Sequence, residues 1–485
     1  MAGIKAMKQN MFDEFQIKGY WRLPESELEV SGILFYNQNK IHLELLGKLK
    51  RTDGILSFNH DNNEIILGRS DMGEEFTLLD ASTLKSSVSF QGFSTESYTI
   101  GSFLVGGCFN NREEINFHSG TFNPTYLTKW LNRPVFVNEI TFDEQNIITN
   151  NQVNYNKPST FKHYVTSINS TIEETYSYIF GGDYPEKVLW KQKSGFKFIP
   201  DEWHDFDWFF DNMFVLKDLF SLFIGQAIYF ENITFFGEEK NTRDSSQVYR
   251  KNYKYFFGQY KSKLKSNFTS FDIMIDFSDV EDNFSSILNF WFEKHNVLQT
   301  VYELYFSNYY KDIYLDTTFL NTVQTLEIYH RKSFRGKRFE KDHYNTLSKQ
   351  VKDFAKEKLP DEFASLVINM FAHGNEFSLA NRIEELMENL DEDTKIRFIG
   401  DSDEVKRFIR QLVQTRNYLT HYDSNNKKNL LKTDDEKFFA IKRLMAITTL
   451  ILFKEIGLKE SFILEKVSNS KQYSYVLTEA KKVLN

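Results

Sequence analysis

Arg416 and His421 stand five positions apart in the run Arg416-Asn417-Tyr418-Leu419-Thr420-His421. Arginine presents a fork of donors to phosphate oxygens, histidine exchanges protons near neutrality, and asparagine can orient either the histidine or the phosphate. These groups suit RNA cleavage without a metal. The ribose 2′-OH attacks its own phosphate, and the step needs proton transfer plus stabilisation of a pentacoordinate phosphorane. The spacing alone is weak: sixteen arginines and ten histidines in 485 residues give roughly a third of such a match by chance. Arg338 and His343 form a second one.

Context separates the two. Arg338/His343 lies in the basic stretch RKSFRGKRFEKDH, which has a glycine and no apolar stripe. Arg416/His421 lies in an amphipathic helix in which Val405, Phe408, Ile409, Leu412, Val413 and Leu419 share one arc. Arg416 falls near the middle of that arc, where a permanent charge is costly unless paired or put to use. Asn417 and His421, four apart, share a face just past the arc's edge, so the three polar groups can converge beside the stripe. The competing reading is a structural helix whose arginine pairs with a carboxylate. Glu327 could be that partner across a bundle, or a solvated acid, and is not counted as a site residue.

Other chemistry-bearing stretches have simpler readings. Tyr249–Ser266 has six basic residues, no acid and interleaved tyrosines, which a phosphate-tracking surface would use; a Lys-rich edge accounts for it equally. His330–Lys358 carries ten Lys/Arg against four acids and reads as a solvated basic loop or a cleft flank. Asp201–Asp207 has one His and no second His or Cys at ligand spacing, so it reads as a polar turn before a helix. There is no phosphate-binding G-x4-G-K-[ST] loop and no H-E-x-x-H; neither metal nor cofactor is expected. Cys108, the single cysteine, excludes an internal disulfide and suits a reducing compartment; a small core residue is its simplest role.

The elements that must position the motif follow from composition and periodicity. At 41% hydrophobic and 26% charged residues the chain is globular, and its length suggests two or three domains. A net charge of −8 argues against coating nucleic acid over the whole surface, though not against a local basic face. No apolar leader is read at the N-terminus. Phe214–Phe230, broken by Lys217, Asp218 and Gln226, is a poor membrane span, so a cytoplasmic protein without membrane contact is expected. The 48 phenylalanines are read as compositional bias.

The fold expected is α+β multidomain: a β-rich, antiparallel sandwich- or barrel-like region over 1–280, with a sub-boundary near 150, then an all-α bundle over 281–485. Ser31–Leu49 reads as a hairpin around Asn37-Gln38-Asn39. Further strands are read at Glu64–Leu67, Phe76–Leu79, Ser97–Val105, Glu114–Phe117, His163–Ile168, Phe196–Ile199, Ala227–Phe236 and Phe271–Phe277, with a helix at Phe206–Ile224. Helices are read at Phe284–Tyr310, Thr318–Arg331, Asp361–Ala372, Phe377–Leu390, Asp403–Tyr422 and Asp434–Ile456. Caps are expected at Pro360-Asp361, Ser402-Asp403 and Thr433-Asp434.

The run RNYLTH near the end of this helical region resembles the R-N-x3-H signature of HEPN ribonucleases, and FLNTVQTLEIYHR (319–331) resembles the opening helix of that domain. GYWRLPESELEVSGILFYNQNKIHLELLGKL, GFSTESYTIGSFLVGGCF and the Trp130 segment resemble the N-terminal domain of ApeA-type anti-phage proteins. The resemblance implies catalytic roles for Arg416, Asn417 and His421, and a homodimer whose two motifs form a composite cleft. It also implies an abortive-infection endoribonuclease with a regulatory N-terminal region answering a phage-derived trigger. RNA is the expected partner, with tRNA the favoured substrate because such relatives cut structured RNA, tRNA loops included. Some HEPN toxins carry a regulatory Tyr two residues after the His; here that position is Asp423, with Tyr422 beside it, so that regulation is not carried over. The alternatives are a non-catalytic RNA- or nucleotide-binding HEPN protein dimerising through the same helix, and a carbohydrate- or protein-binding β-module with a helical oligomerisation domain.

Overall fold

The computed structural model describes residues 9–50, 62–87, 94–241, 248–260, 263–421 and 429–485. It has two compact units, Met1–Phe292 and Glu293–Asn485.

The first unit is built from β1 (Phe15–Arg22), β2 (Val30–Asn37), β3 (Lys40–Leu45), β4 (Asn62–Ser70), β5 (Glu75–Ser87), β6 (Thr95–Thr99), β7 (Ser102–Val105), β8 (Asn116–Phe117), β9 (Ser119–Pro124), α1 (Leu127–Leu131), β10 (Phe136–Phe142), β11 (Ile148–Tyr155), β12 (Lys162–Val165), β13 (Ser170–Asp183), β14 (Lys187–Pro200), β15 (His204–Asp205), α2 (Phe206–Ile224), β16 (Phe230–Asn241) and β17 (Val248–Phe257). β5 pairs with both β4 and β6, closing β5-β4-β1-β2-β3-β6 into a six-stranded barrel. The sheet runs on from β5 through β7, β17, β16, β9, β14 and β13 to β12, antiparallel throughout.

Local chemistry accounts for these elements. The β2–β3 hairpin turns where expected, because Asn37 Oδ1 accepts from the amides of Asn39 (3.0 Å) and Lys40 (2.9 Å). Inside the barrel Gly68 leaves room for a neighbour: a Cβ there would come within 2.3 Å of the buried Trp21 ring. Many of the phenylalanines fill the core rather than decorate the surface. Phe196 stacks on Phe220 of α2 at 4.7 Å, and Phe117 stacks on Phe235 at 4.6 Å.

Some expected strands are 3-10 turns instead. Ser270–Asp272 and Phe277–Asp279 turn because Thr269 and Asp272, and Asp276 and Asp279, cap one another's backbone, offering an alternative to a ladder. Likewise the Asn111 side chain accepts from Glu114 N and winds Arg112–Glu114, leaving only Asn116–Phe117 extended. β12 stops at Val165, ahead of a turn over Thr166–Ile168.

The division between the units falls within the long helix α3 (Phe284–Tyr310). The second unit continues with α4 (Leu315–Ser333), α5 (Lys341–Lys358), α6 (Asp361–Met370), α7 (Leu379–Glu388), α8 (Glu392–Phe398), α9 (Ser402–His421), α10 (Asp434–Glu455), α11 (Glu460–Asn469) and α12 (Ser474–Leu484). α10 is its axle: every residue from Arg443 to Phe453 is buried, and it packs on α4, α8, α11 and α12. Thr433 caps its start as expected, and Glu436 completes a capping box with it. Hydroxyls thread the core, with Tyr305 Oη 2.6 Å from Thr449 Oγ1 and Thr449 Oγ1 3.1 Å from Tyr473 Oη.

α5 and α6 form a hairpin closed at its base by a short clasp. Phe377 N donates to Gly336 O (3.0 Å), Arg338 N to Asn375 O (3.0 Å), and Asn375 Nδ2 to Phe339 O (3.1 Å). The basic stretch His330–Lys358, read from sequence as a solvated loop or cleft flank, is the end of α4, a short connection and the 18-residue helix α5.

Candidate active site

α9 carries Arg416, Asn417 and His421 on its last two turns. It begins at Asp401, whose Oδ1 accepts from the amides of Asp403 and Glu404, both at 2.9 Å; the capping side chain is thus Asp401, one residue before the expected Ser402. Val405, Phe408, Ile409, Leu412 and Thr415 are buried, and the helix packs on α4 and α7. The chain returns to pin its far end: Leu431 N donates to Thr415 Oγ1 at 2.9 Å and Asn429 N to Gln414 Oε1 at 3.2 Å. Tyr422 and Asp423 lie outside the described residues.

The buried stripe stops at Thr415, so the last turns project from the packing. Arg416, expected in mid-stripe, keeps 35% of its side chain exposed. It is not deeply desolvated, because no apolar neighbour on α9 beyond Thr415 is buried. Asn417 and His421 are exposed. The structure joins Arg416 to Asn417, whose Oδ1 accepts from Arg416 Nη1 at 3.2 Å. His421 lies one turn on, and no hydrogen bond to its imidazole is formed among the described residues.

Glu327 on α4, left out of the sequence-derived set, belongs to this neighbourhood. Its carboxylate, only 18% exposed, stands 4.0 Å from Arg416 Nη2. Its other oxygen accepts from Arg331 Nη2 at 3.0 Å and Nε at 3.3 Å. Arg331 Nη1 in turn donates to Glu376 Oε2 at 3.3 Å, and Glu376 also meets Lys337 at 3.4 Å and Arg382 at 3.8 Å. Lys337 and Arg331 hold the Glu376 carboxyl below its ordinary range. The i,i+4 spacing of Glu327 and Arg331 was a usable signal in the sequence; Glu376, some forty-five residues away from Arg331, gave none.

Behind this row lies a buried polar core. His330 is fully buried, with Nε2 2.6 Å from Glu385 Oε2 and Nδ1 3.1 Å from Arg382 Nη1. Arginine can only donate, so Nδ1 accepts and Nε2 carries the proton toward Glu385. Burial, with the Arg382 and Arg331 charges, lowers the pKa of His330 against the opposing pull of Glu385. Gly336 makes room for the arrangement: a Cβ there would fall 2.6 Å from Arg382 Nη1.

The other candidates disperse. Arg338 lies in the clasp, donating to Asn381 Oδ1 at 2.9 Å, and His343 is an exposed residue of α5. In 249–266, Tyr253 and Tyr255 point into the core of the first unit, because β17 is an interior strand; only Tyr249 and Tyr260 are exposed. In 201–207, Asp205 caps α2 through Trp208 N, and His204 stacks on Trp208 at 4.3 Å. Among the described residues no cluster of three or more His, Cys, Asp or Glu is placed to hold a metal ion. Cys108 is exposed rather than a core residue; its Sγ lies 3.7 Å from Phe76 O and 3.8 Å from Gly68 O. No helix among the described residues is long and apolar enough to cross a membrane.

The chain is thus a barrel-bearing β unit followed by a helical bundle, with an Arg-Asn-His run at the end of a bundle helix. Comparison with protein families makes this specific. A family model described as ApeA N-terminal domain 1 matches residues 16–291, and one described as Apea-like HEPN matches residues 320–462. The chain belongs to the ApeA-like HEPN family, a family of anti-phage defence HEPN nucleases. No curated protein and no solved structure matches it.

Proposed function

We propose that the protein is a metal-independent endoribonuclease that cuts RNA, tRNA being the favoured class, during abortive-infection defence. The observation that carries this reading is the exposed end of α9, where Arg416 is drawn against Asn417 while the imidazole of His421 stands open one turn away. Arg416 stabilises the phosphorane, His421 moves a proton, and Asn417 orients the guanidinium it touches. The products are a 2′,3′-cyclic phosphate and a 5′-hydroxyl. The reaction needs two proton transfers, one from the 2′-OH and one to the leaving oxygen, and each chain brings one histidine to the motif. A second copy across a two-fold axis supplies the other, so the working unit is a homodimer. The N-terminal unit restrains or triggers the nuclease; a pocket of about 650 Å³ over its barrel strands, lined by Lys18, Tyr20, Ile33, Glu44 and Leu46, is a place for a small effector.

The Arg416–Glu327 contact favours the competing reading, an RNA-binding protein whose arginine is structural. Sequencing of RNA ends after incubation with purified protein in excess EDTA separates the two. Wild type is expected to leave 5′-hydroxyl ends, and His421→Ala to cut about 10²–10⁴-fold more slowly, as for loss of a general acid–base; Arg416→Ala behaves alike. Full cleavage by both folded variants refutes the nuclease reading. Light scattering checks the dimer: a monomeric molar mass in a preparation that cuts RNA refutes it.

A further inference from the structure

We propose that Arg331 is a positioning residue for Arg416, acting by sharing Glu327; the inference rests on reading Arg416 as the phosphate-binding group. Arg331 occupies one Glu327 oxygen with two hydrogen bonds of 3.0 and 3.3 Å. The other oxygen stands 4.0 Å from Arg416, a charge contact too long to be a hydrogen bond. Arg416 is therefore aimed toward α4 by an opposite charge yet keeps most of its donors. The one it commits, Nη1, goes to Asn417 at 3.2 Å.

A half-buried carboxylate left alone beside Arg416 would close on it in the two-toothed geometry that carboxylate and guanidinium prefer. That closed pair would compete with an incoming phosphate for the same fork. Arg331 blocks closure because it is held from the other side. Its Nη1 donates to Glu376 Oε2 at 3.3 Å, and Glu376 is itself kept in place by Lys337 and Arg382. Glutamate four residues ahead of arginine is also the favourable order on a helix. The row Arg416, Glu327, Arg331, Glu376 thus alternates in sign; Arg331 commits three of its five N–H donors to the two glutamates, whereas Arg416 commits one, to Asn417, and keeps the rest for a phosphate.

Removing Arg331 then harms the site by releasing Glu327 onto Arg416, and removing the Glu327 charge as well reverses the harm. The test compares full-length wild type, Arg331→Ala, Arg331→Lys, Arg331→Ala with Glu327→Gln, and His421→Ala as the baseline, on bulk tRNA. Circular dichroism confirms folding. Arg331→Ala is expected to lower kcat/KM about tenfold, Arg331→Lys less, and the double variant to recover most of the loss. The same substitutions on a His421→Ala background, read by binding to the same tRNA without cleavage, should weaken and then restore affinity. Arg331→Ala equal to wild type, or a double variant no better than Arg331→Ala, overturns the proposal; the latter result is what a direct phosphate contact by Arg331 would give. Equal cutting by wild type and His421→Ala refutes the ribonuclease reading instead, and the binding series still decides the competition for Glu327.

Discussion

At the residue scale, the buried His330 links the site's scaffold to pH. Its pKa lies below the ordinary histidine value because burial and two neighbouring arginines disfavour the imidazolium. The unfolded chain therefore takes up a proton that the folded chain resists. The sign follows: His330 imposes no penalty well above about pH 6.5, and stability falls as pH drops below that value. Urea unfolding followed by circular dichroism at about pH 7.5 and about pH 5.5 should show a larger drop in midpoint for wild type than for His330→Gln. Equal drops would place the sensitivity elsewhere. The motif itself was legible at this scale because it is contiguous: Arg416, Asn417 and His421 are neighbours in the chain. Glu376 and Arg382 were not, since the clasp brings in the first and the packing of α7 on α4 the second.

At the element scale, periodicity recovered what repeats and missed what caps. The bounds of α2 and α3 coincide with their hydrophobic runs, Phe206–Ile224 and Phe284–Tyr310. The α5 helix escaped because only Ser348 and Ala355 of its residues are buried, so lysines hide its period. The 3-10 turns near 270–279 escaped because four capping side chains outvote an alternating pattern. One α10 residue invites substitution. Arg443 is fully buried over the Phe408 ring, with Nε and Nη1 unbonded among the described residues and a pKa lowered to about 10 by burial. Replacing a buried, poorly paired charge with an apolar side chain of similar length is neutral or stabilising by about 1–4 kcal/mol. Arg443→Met should therefore match or exceed wild type in urea midpoint; a loss above about 1 kcal/mol would show the guanidinium to be needed.

At the scale of the whole molecule, the broad plan was readable because the two regions differ in period, alternating before about residue 280 and helical after it. The choice between sandwich and barrel was not readable, since closure depends on one thirteen-residue strand, β5, pairing with β4, β7 and, across a bulge at Thr83/Lys85, β6. That closure makes a prediction: Gly68→Ala must push Trp21 aside, and overpacking a core of this kind costs about 1–3 kcal/mol. Thermal unfolding followed by near-ultraviolet circular dichroism should register it as a lowered midpoint.

The neck of the α5–α6 hairpin has a practical consequence. Because Gly336 and Phe377 meet through a single 3.0 Å hydrogen bond, the chain leaves and rejoins the bundle at nearly one point. Everything beyond that point is a cassette. A short glycine–serine splice could replace residues 341–370 within it, or a relative's hairpin could be grafted in there, provided Lys337, Arg338 and Glu376 stay to hold Arg331, Asn381 and Arg382.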